Sequence, residues 1–202
     1  MNRFALILAC FCCAAAEPVL ANPLSSYSTE LAVLAPGGVL DRVDVYVAGR
    51  EPYDSYFLQV AIVDGTMATA EALTAQFGEM LIAATGAAPG TDPEQWPDLL
   101  LKLADDSSGK EDTLVMLRQR GRQLEVMVDP VVRAVEQLPG LAAQTPGLAA
   151  RAPSDFTGLR GRIKLIGVMN GLRRSSGQLE RAAVNCKRIV GNLHAIVSAV
   201  PK

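Results

Sequence analysis

Residues 139–155 restrict the fold of this chain more than any other stretch, because they contain three prolines and two glycines. The sequence Pro-Gly-Leu-Ala-Ala begins at Pro139 and again at Pro146, and Pro153 follows. Proline lacks the backbone N–H that a helix interior or a central strand uses, and glycine weakens both. The pattern therefore predicts an irregular connector. Two copies of seven residues are too short to be units of a solenoid.

The net charge of the chain changes sign beside this connector. Residues 22–150 contain 8 basic and 18 acidic side chains, whereas residues 151–202 contain 10 basic and 2 acidic ones. Such an asymmetry is typical of a segment that binds an anionic partner. The alternative is that the basic segment packs on the acidic part within one fold. We divide the mature chain into an acidic domain (residues 22–138), the connector (139–155) and a basic, mainly helical segment (156–202).

Residues 1–21 have the composition of a secretory signal peptide. A basic residue, Arg3, precedes the 13 apolar residues of positions 4–16. Cleavage is expected near Ala21, which leaves about 180 residues in a periplasmic or secreted protein. A lipoprotein anchored at Cys10 is the minor alternative, because the apolar run before that cysteine is short. No later segment approaches the roughly 20 apolar residues of a transmembrane helix.

The residues that remain after cleavage offer few catalytic groups. Cys186 is then the only cysteine, so no internal disulfide forms. The one histidine, His194, is eight residues further along the predicted helix, or about 12 Å along its axis, too far for a Cys-His dyad. No nucleophile elbow, Walker loop or Rossmann fingerprint is present. We predict no cofactor and no metal site. Catalysis by two carboxylates needs no visible motif and stays open.

Two stretches of the acidic part have the β-branched, apolar composition of strands. Residues 39–47 place alternate valines on one face, and residues 56–63 form a second run after a turn, which predicts a hairpin. Residues 112–129 fit either a helical stripe or another hairpin with its turn at Gly121, and we predict the hairpin, since glycine suits a turn better than a helix interior. We therefore expect an α+β fold: a small antiparallel sheet of hairpins, packed with helices and followed by a C-terminal amphipathic helical segment.

Helices are predicted where apolar residues recur at steps of three and four. These are residues 67–84, ending at Gly86, residues 97–103, residues 130–138 and residues 177–199. The last one has the clearest periodicity, at Leu172, Ser176, Leu179, Ala183, Cys186, Val190, Leu193, Val197 and Val200. Such a seam packs either on the helix's own domain or on a helix of another chain.

Five basic residues surround an apolar run just before that helix, and they are Arg160, Arg162, Lys164, Arg173 and Arg174. A basic amphipathic segment of this kind can lie on an anionic membrane surface. Tyr53 and Tyr56 are the other candidates for a contact surface, because aromatic residues are enriched at interfaces.

These observations predict an exported, non-enzymatic interaction or accessory protein. Its basic C-terminal helix is expected to dock on a protein partner or on an anionic envelope surface. A carboxylate-dependent envelope hydrolase and a small-ligand binding domain are the alternatives. Nucleic acid is not an expected partner, because export separates the protein from the usual nucleic-acid targets. The sequence indicates no oligomeric state.

Overall fold

Four helices form the body of the protein, and a β-hairpin precedes them. The computed structural model describes residues 28–34, 40–105 and 109–199, with side chains from residue 45 onward. The helices are α1 (Tyr53–Thr85), α2 (Trp96–Asp105, preceded by a single 3-10 turn), α3 (Glu111–Asp155) and α4 (Gly158–Ala199). The antiparallel strands are β1 (Ser28–Leu34) and β2 (Leu40–Tyr46). The predicted signal peptide, with the alternative lipidation site Cys10, lies outside the described residues.

The three long helices pack along one another, and α1 runs parallel to α4 and antiparallel to α3. The contacts between α1 and α4 follow the same order along both helices: Asp64 accepts a hydrogen bond from Gln178, and Glu71, further along α1, pairs with Arg188, further along α4. The contacts between α1 and α3 follow the opposite order. Tyr53 contacts the end of α3, and the next turn of α1 contacts an earlier turn of α3.

A heptad-like alternation of three- and four-residue steps defines the buried face of each long helix. On α1 these positions are Tyr53, Tyr56, Val60, Val63, Met67, Ala70, Thr74, Phe77 and Leu81. On α3 they include Val131, Ala134, Leu138, Leu141, Leu148 and Ala152, and on α4 they include Val168, Leu172, Ser175, Leu179, Ala182, Ile189, Leu193 and Ile196. This spacing keeps one stripe of each helix facing its neighbours, as in a coiled coil. The core is therefore a long apolar seam among three helices.

The predicted α+β fold is wrong, because the body is helical and the one hairpin of the described residues is too small to form a layer. Residues 56–63 lie in α1 and residues 112–129 lie in α3, although both were predicted as strands. A short apolar run has the same composition in a buried strand and in a buried helix. β2 lies within the predicted strand at residues 39–47, but it pairs with β1 instead.

The prolines of residues 139–155 do not interrupt α3, so the predicted irregular connector is helical. Pro139, Pro146 and Pro153 are exposed, and each directly follows a position on the inward side of the helix. Proline in a helix interior costs about 3 kcal/mol, because it removes a hydrogen bond and crowds the preceding turn. On the solvent side, however, water can bind the freed carbonyl groups. We infer that burial of the adjacent heptad positions outweighs this cost.

The predicted end of the first helix at Gly86 is confirmed by the backbone. Gly86 ends α1 in the left-handed conformation, with φ of 70°, and its N–H donates to the carbonyl of Ile82. Asp92 accepts a hydrogen bond from the N–H of Glu94 at 3.0 Å before α2. The C-terminal helix reaches Ala199, close to the predicted end, but it begins 19 residues earlier than predicted, at Gly158.

Candidate functional site

The first half of α4 presents apolar side chains to solvent on the side opposite the core. Leu159, Ile163 and Ile166 are 81%, 45% and 66% exposed, whereas Val168 and Leu172 are buried. With 3.6 residues per turn, the three exposed residues lie within about 60° of arc around the helix. We call Leu159, Ile163 and Ile166 the outer stripe.

Four exposed arginines flank the outer stripe. Arg162 and Arg173 lie on one side of it, and Arg160 and Arg174 lie on the other. None of the four makes a hydrogen bond or an ion pair with a side chain of residues 45–105 or 109–199, the ranges whose side chains the structure describes. Residues 156–179 contain no Asp or Glu. This face therefore combines exposed apolar area with positive charge that no described side chain neutralises.

The arginines in the second half of α4 behave differently. Arg181 lies 3.9 Å from a carboxylate oxygen of Asp64, and Arg188 pairs with Glu71. Both carboxylates belong to α1. The charge asymmetry of the chain is thus partly balanced by packing of the basic segment on the acidic part. Among the side chains that the structure describes, the ion pairs between α4 and α1 lie in the second half of α4.

The start of α4 is held by a cluster around Asp155. The Tyr53 hydroxyl donates to Asp155 at 2.8 Å, and the Arg50 guanidinium lies 3.1 Å from the same carboxylate. Arg50 also lies over the Phe156 ring, 5.9 Å from its centre. Burial, and then the hydrogen bond to Asp155, raise the pKa of Tyr53 to about 12. These contacts join α1, the preceding loop and the turn between α3 and α4.

The end of the hairpin covers one flank of α4 and leaves the outer stripe open. Tyr46 packs over Gly167 and Gly171, and its ring meets Phe57 edge-on at 5.4 Å between centres. A Cβ on Gly171 would lie 2.9 Å from the Phe57 ring, so this close approach requires glycine. Lys164 points to the same side, with its Nζ 3.4 Å from the Ala48 carbonyl oxygen.

Of the seven residues predicted from the sequence to form an interaction surface, five lie together on α4 and two are buried in the core. Arg160, Arg162, Arg173 and Arg174 share the open face, and Lys164 lies at its edge. Tyr53 and Tyr56 are 0% and 2% exposed, so they belong to the core and not to a contact surface. The Tyr56 hydroxyl instead shares a hydrogen bond of 2.6 Å with Thr145. Their burial follows from the heptad positions that they occupy on α1.

Sequence reasoning missed the outer stripe as a separate face. The apolar residues upstream of the predicted helix were grouped together, although Leu165 and Val168 face inward while Ile163 and Ile166 face outward. Extending the helix back to Gly158 would have separated them, because the two sets follow opposite sides of a 3.6-residue turn.

The other candidate chemistries find little support among the described residues. A cavity between α2, α3 and the end of α4 is apolar and measures about 30 Å³. That is room for one or two waters, whereas small-molecule sites enclose roughly 300–1,000 Å³. No group of three or more His, Cys, Asp or Glu side chains in this part of the chain is placed to hold a metal ion.

Cys186 and His194, the two residues considered for a catalytic dyad, both lie on α4. The Cys186 thiol donates to the Ala183 carbonyl at 3.0 Å within α4, and His194 is an exposed residue of the same helix. Within residues 28–34, 40–105 and 109–199, no helix combines the length and the apolar run that crossing a bilayer requires. Comparisons with protein-family models, with curated proteins and with solved structures found no match.

Proposed function

We propose that this chain is an exported, non-enzymatic accessory protein that docks on an anionic surface of the cell envelope through the open face of α4. The observation that carries the proposal is the set of four arginines, Arg160, Arg162, Arg173 and Arg174, without an ion-pair partner among the described residues, beside the exposed outer stripe. Charge without a partner and apolar area without a cover are both features of an interaction surface.

The position of the charge supports an anionic partner. Arg160 and Arg162 lie in the first turns of α4, and no acidic residue accompanies them there. The N-terminus of a helix carries partial positive charge, so cations at that end are unfavourable by about 0.3–1 kcal/mol each. Because both arginines add to a field that is already positive, a negatively charged surface at this end of α4 would relieve the repulsion.

An enzymatic role receives no comparable support. The carboxylates of Asp54, Asp64 and Asp155 already accept hydrogen bonds from neighbouring groups in the fold. Asp54 holds the loop before α1 by accepting from the N–H groups of Ala48 and Arg50, at 2.6 and 2.8 Å. These acidic side chains therefore have structural partners, and none of them lines the cavity beside α2.

The proposal is tested by sedimentation of the purified exported protein with an envelope fraction that contains membrane and wall. The double variant Arg173→Glu/Arg174→Glu reverses two charges on the open face. We expect it to leave most of the protein in the supernatant, while the wild type sediments at low salt and is released at high salt.

The matched control is Arg118→Glu/Arg122→Glu on α3, which changes the net charge equally. Arg118 lines the same cavity as Ala199, so this control surface lies roughly 50 Å along α4 from Ile163. Equal loss of sedimentation in both variants, or no sedimentation of the wild type, would contradict the proposal. Truncation after residue 150 is not a useful control, because it removes the whole of α4 and hence one side of the core.

A further inference from the structure

We infer that the anionic surface is a phospholipid bilayer and that the first half of α4 lies in its interface, with the outer stripe inserted between lipid headgroups and the four arginines bound to lipid phosphates. This inference rests on the proposed function and names the partner of that same face.

The shape of the face favours a lipid surface over a protein partner. Leu159, Ile163 and Ile166 stand on the outward, convex side of a helix, not in a groove. They are all aliphatic, whereas the energetically dominant residues of protein interfaces are enriched in Trp and Tyr, and Leu is under-represented among them. A bilayer needs no complementary pocket, because its headgroups and acyl chains rearrange around an inserted side chain.

The distribution of charge also matches a bilayer. The arginines lie on both sides of the outer stripe, and a lipid surface offers phosphate groups on both sides of an inserted helix. Arginine binds phosphate oxygens bidentately through its planar guanidinium. Interfacial helices combine basic flanks with an apolar face buried about 5–10 Å at the headgroup boundary. A partner presenting one acidic patch would engage one flank only.

The bundle permits this insertion without opening. The outer stripe extends over eight residues, or about 10 Å along the axis, and no described side chain covers it. Tyr46 covers a neighbouring flank through its contacts with Gly167 and Gly171, and the core side of α4 stays packed on α1 and α3. The rest of the molecule therefore remains on the water side.

Flotation with vesicles of defined composition tests the inference. Vesicles of phosphatidylcholine alone are compared with vesicles containing phosphatidylglycerol, at about 0.1 M and about 1 M salt, where the Debye length falls from about 10 Å to about 3 Å. We expect binding to the anionic vesicles only, weakened at high salt. Arg173→Gln/Arg174→Gln should weaken it roughly 30-fold, because each basic residue near an anionic surface contributes about a fivefold factor.

Insertion is separated from simple charge attraction by a second pair of variants. Leu159→Ser/Ile166→Ser should reduce binding at least tenfold, since each side chain buries apolar area in the bilayer. The matched control is Val115→Ser/Val126→Ser, which removes two exposed apolar residues from α3. In addition, the tryptophan fluorescence of Ile163→Trp should shift to the blue when vesicles are added and should be quenched by brominated lipid. The fluorescence of Val115→Trp should show neither effect. Trp96, the chain's one tryptophan, is 5% exposed and supplies a constant background.

Three outcomes overturn the inference in distinguishable ways. Binding that depends on the arginines but not on Leu159 and Ile166 would mean that the protein adheres without inserting. Sedimentation with the envelope fraction but not with anionic vesicles would leave the proposed docking intact and point to a protein or polysaccharide partner. Absence of binding both to the envelope fraction and to anionic vesicles would contradict the proposed function as well.

Discussion

The two halves of α4 contain four and two arginines, and these arginines have different electrostatic surroundings. In the second half, Arg181 and Arg188 face carboxylates of α1, whereas in the first half Arg173 and Arg174 face solvent. Both halves bury apolar residues, such as Leu172 and Ile189, but the first half also exposes the three residues of the outer stripe, whereas the exposed Val184 and Val190 of the second half lie on different sides of the helix. Both halves of α4 thus pack in the core, and the first half also has the open face that we propose as an interaction surface.

The largest effect is expected from truncating one isoleucine in each half. Ile189→Ala should lower the free energy of unfolding by about 2–5 kcal/mol, because it leaves a cavity in the core. Ile166→Ala, the same change on the outer stripe, should stay within about 0.5 kcal/mol of the wild type. Urea denaturation followed by circular dichroism measures both. A comparable loss for Ile166→Ala would mean that the outer stripe is covered by the protein itself.

A smaller effect is expected at the cluster that fixes the start of the first half. Because the pKa of Tyr53 is raised from 10.0 to about 12 in the fold, its contribution to stability is complete below pH 10 and is lost as the pH rises from 10 to about 12. Tyr53→Phe should cost about 0.5–1.5 kcal/mol at neutral pH and reduce the alkaline decline. Part of the alkaline decline should remain in the variant, because burial also raises the pKa values of Tyr46 and Tyr56.

Denaturation midpoints at successive pH values would follow this decline in the wild type and in Tyr53→Phe. Identical slopes in the two proteins would show that the Tyr53 hydroxyl does not couple to folding. The start of α4 would then depend on the Arg50 and Phe156 contacts alone.

The ion pairs of the second half should give a modest effect that depends on salt. A double-mutant cycle with Arg188→Gln and Glu71→Gln should yield a coupling of about 0.2–1 kcal/mol, as is usual for exposed pairs. The matched cycle, Arg174→Gln with Glu71→Gln, should yield none. If the matched cycle gave the same coupling, the contrast between the two halves of α4 would reflect the overall field and not local pairing.

The smallest effect is expected at the beginning of α4, and its sign is informative. Arg160→Gln should leave stability unchanged or raise it by about 0.3 kcal/mol at low ionic strength, because it removes a cation from a helix N-terminus. High salt should abolish the difference. Thermal denaturation of the two proteins measures it. A clear loss of stability would reveal a carboxylate partner within the chain and would weaken the proposed docking surface.

The periodic segments of the sequence predicted helices correctly, whereas short apolar runs did not identify their own secondary structure. Residues 177–199 were recognisable because the apolar repeat persists for three heptads. Residues 56–63 were not, since one or two turns fit a strand equally well. The proline repeat was misleading by itself. Its seven-residue spacing, which places Leu141 and Leu148 on the same buried stripe, was the signal of a heptad helix.

The sequence predicted the C-terminal helix, but it did not fully predict which of its residues face the core. Three of the predicted positions, Leu172, Leu179 and Leu193, are buried, but the buried residues between them are shifted by one residue from the prediction. The pairs Ser175-Ser176, Ala182-Ala183, Ile189-Val190 and Ile196-Val197 each contain two similar residues, so local composition gives no preference. Packing against both α1 and α3 selects the first of each pair. Partner geometry, which a single helix does not encode, therefore set the register.

The prolines of α3 also bear on when the protein folds. A segment with three prolines and two glycines in 17 residues has little tendency to be helical alone, so its conformation depends on contacts with α1 and α4. α4 follows α3 in the chain and is therefore synthesised after it. Folding of the C-terminal half of α3 must therefore wait until α4 has been made, which makes the bundle strongly cooperative. If the predicted export occurs, this delay favours a polypeptide that is still extended when it reaches the translocation machinery.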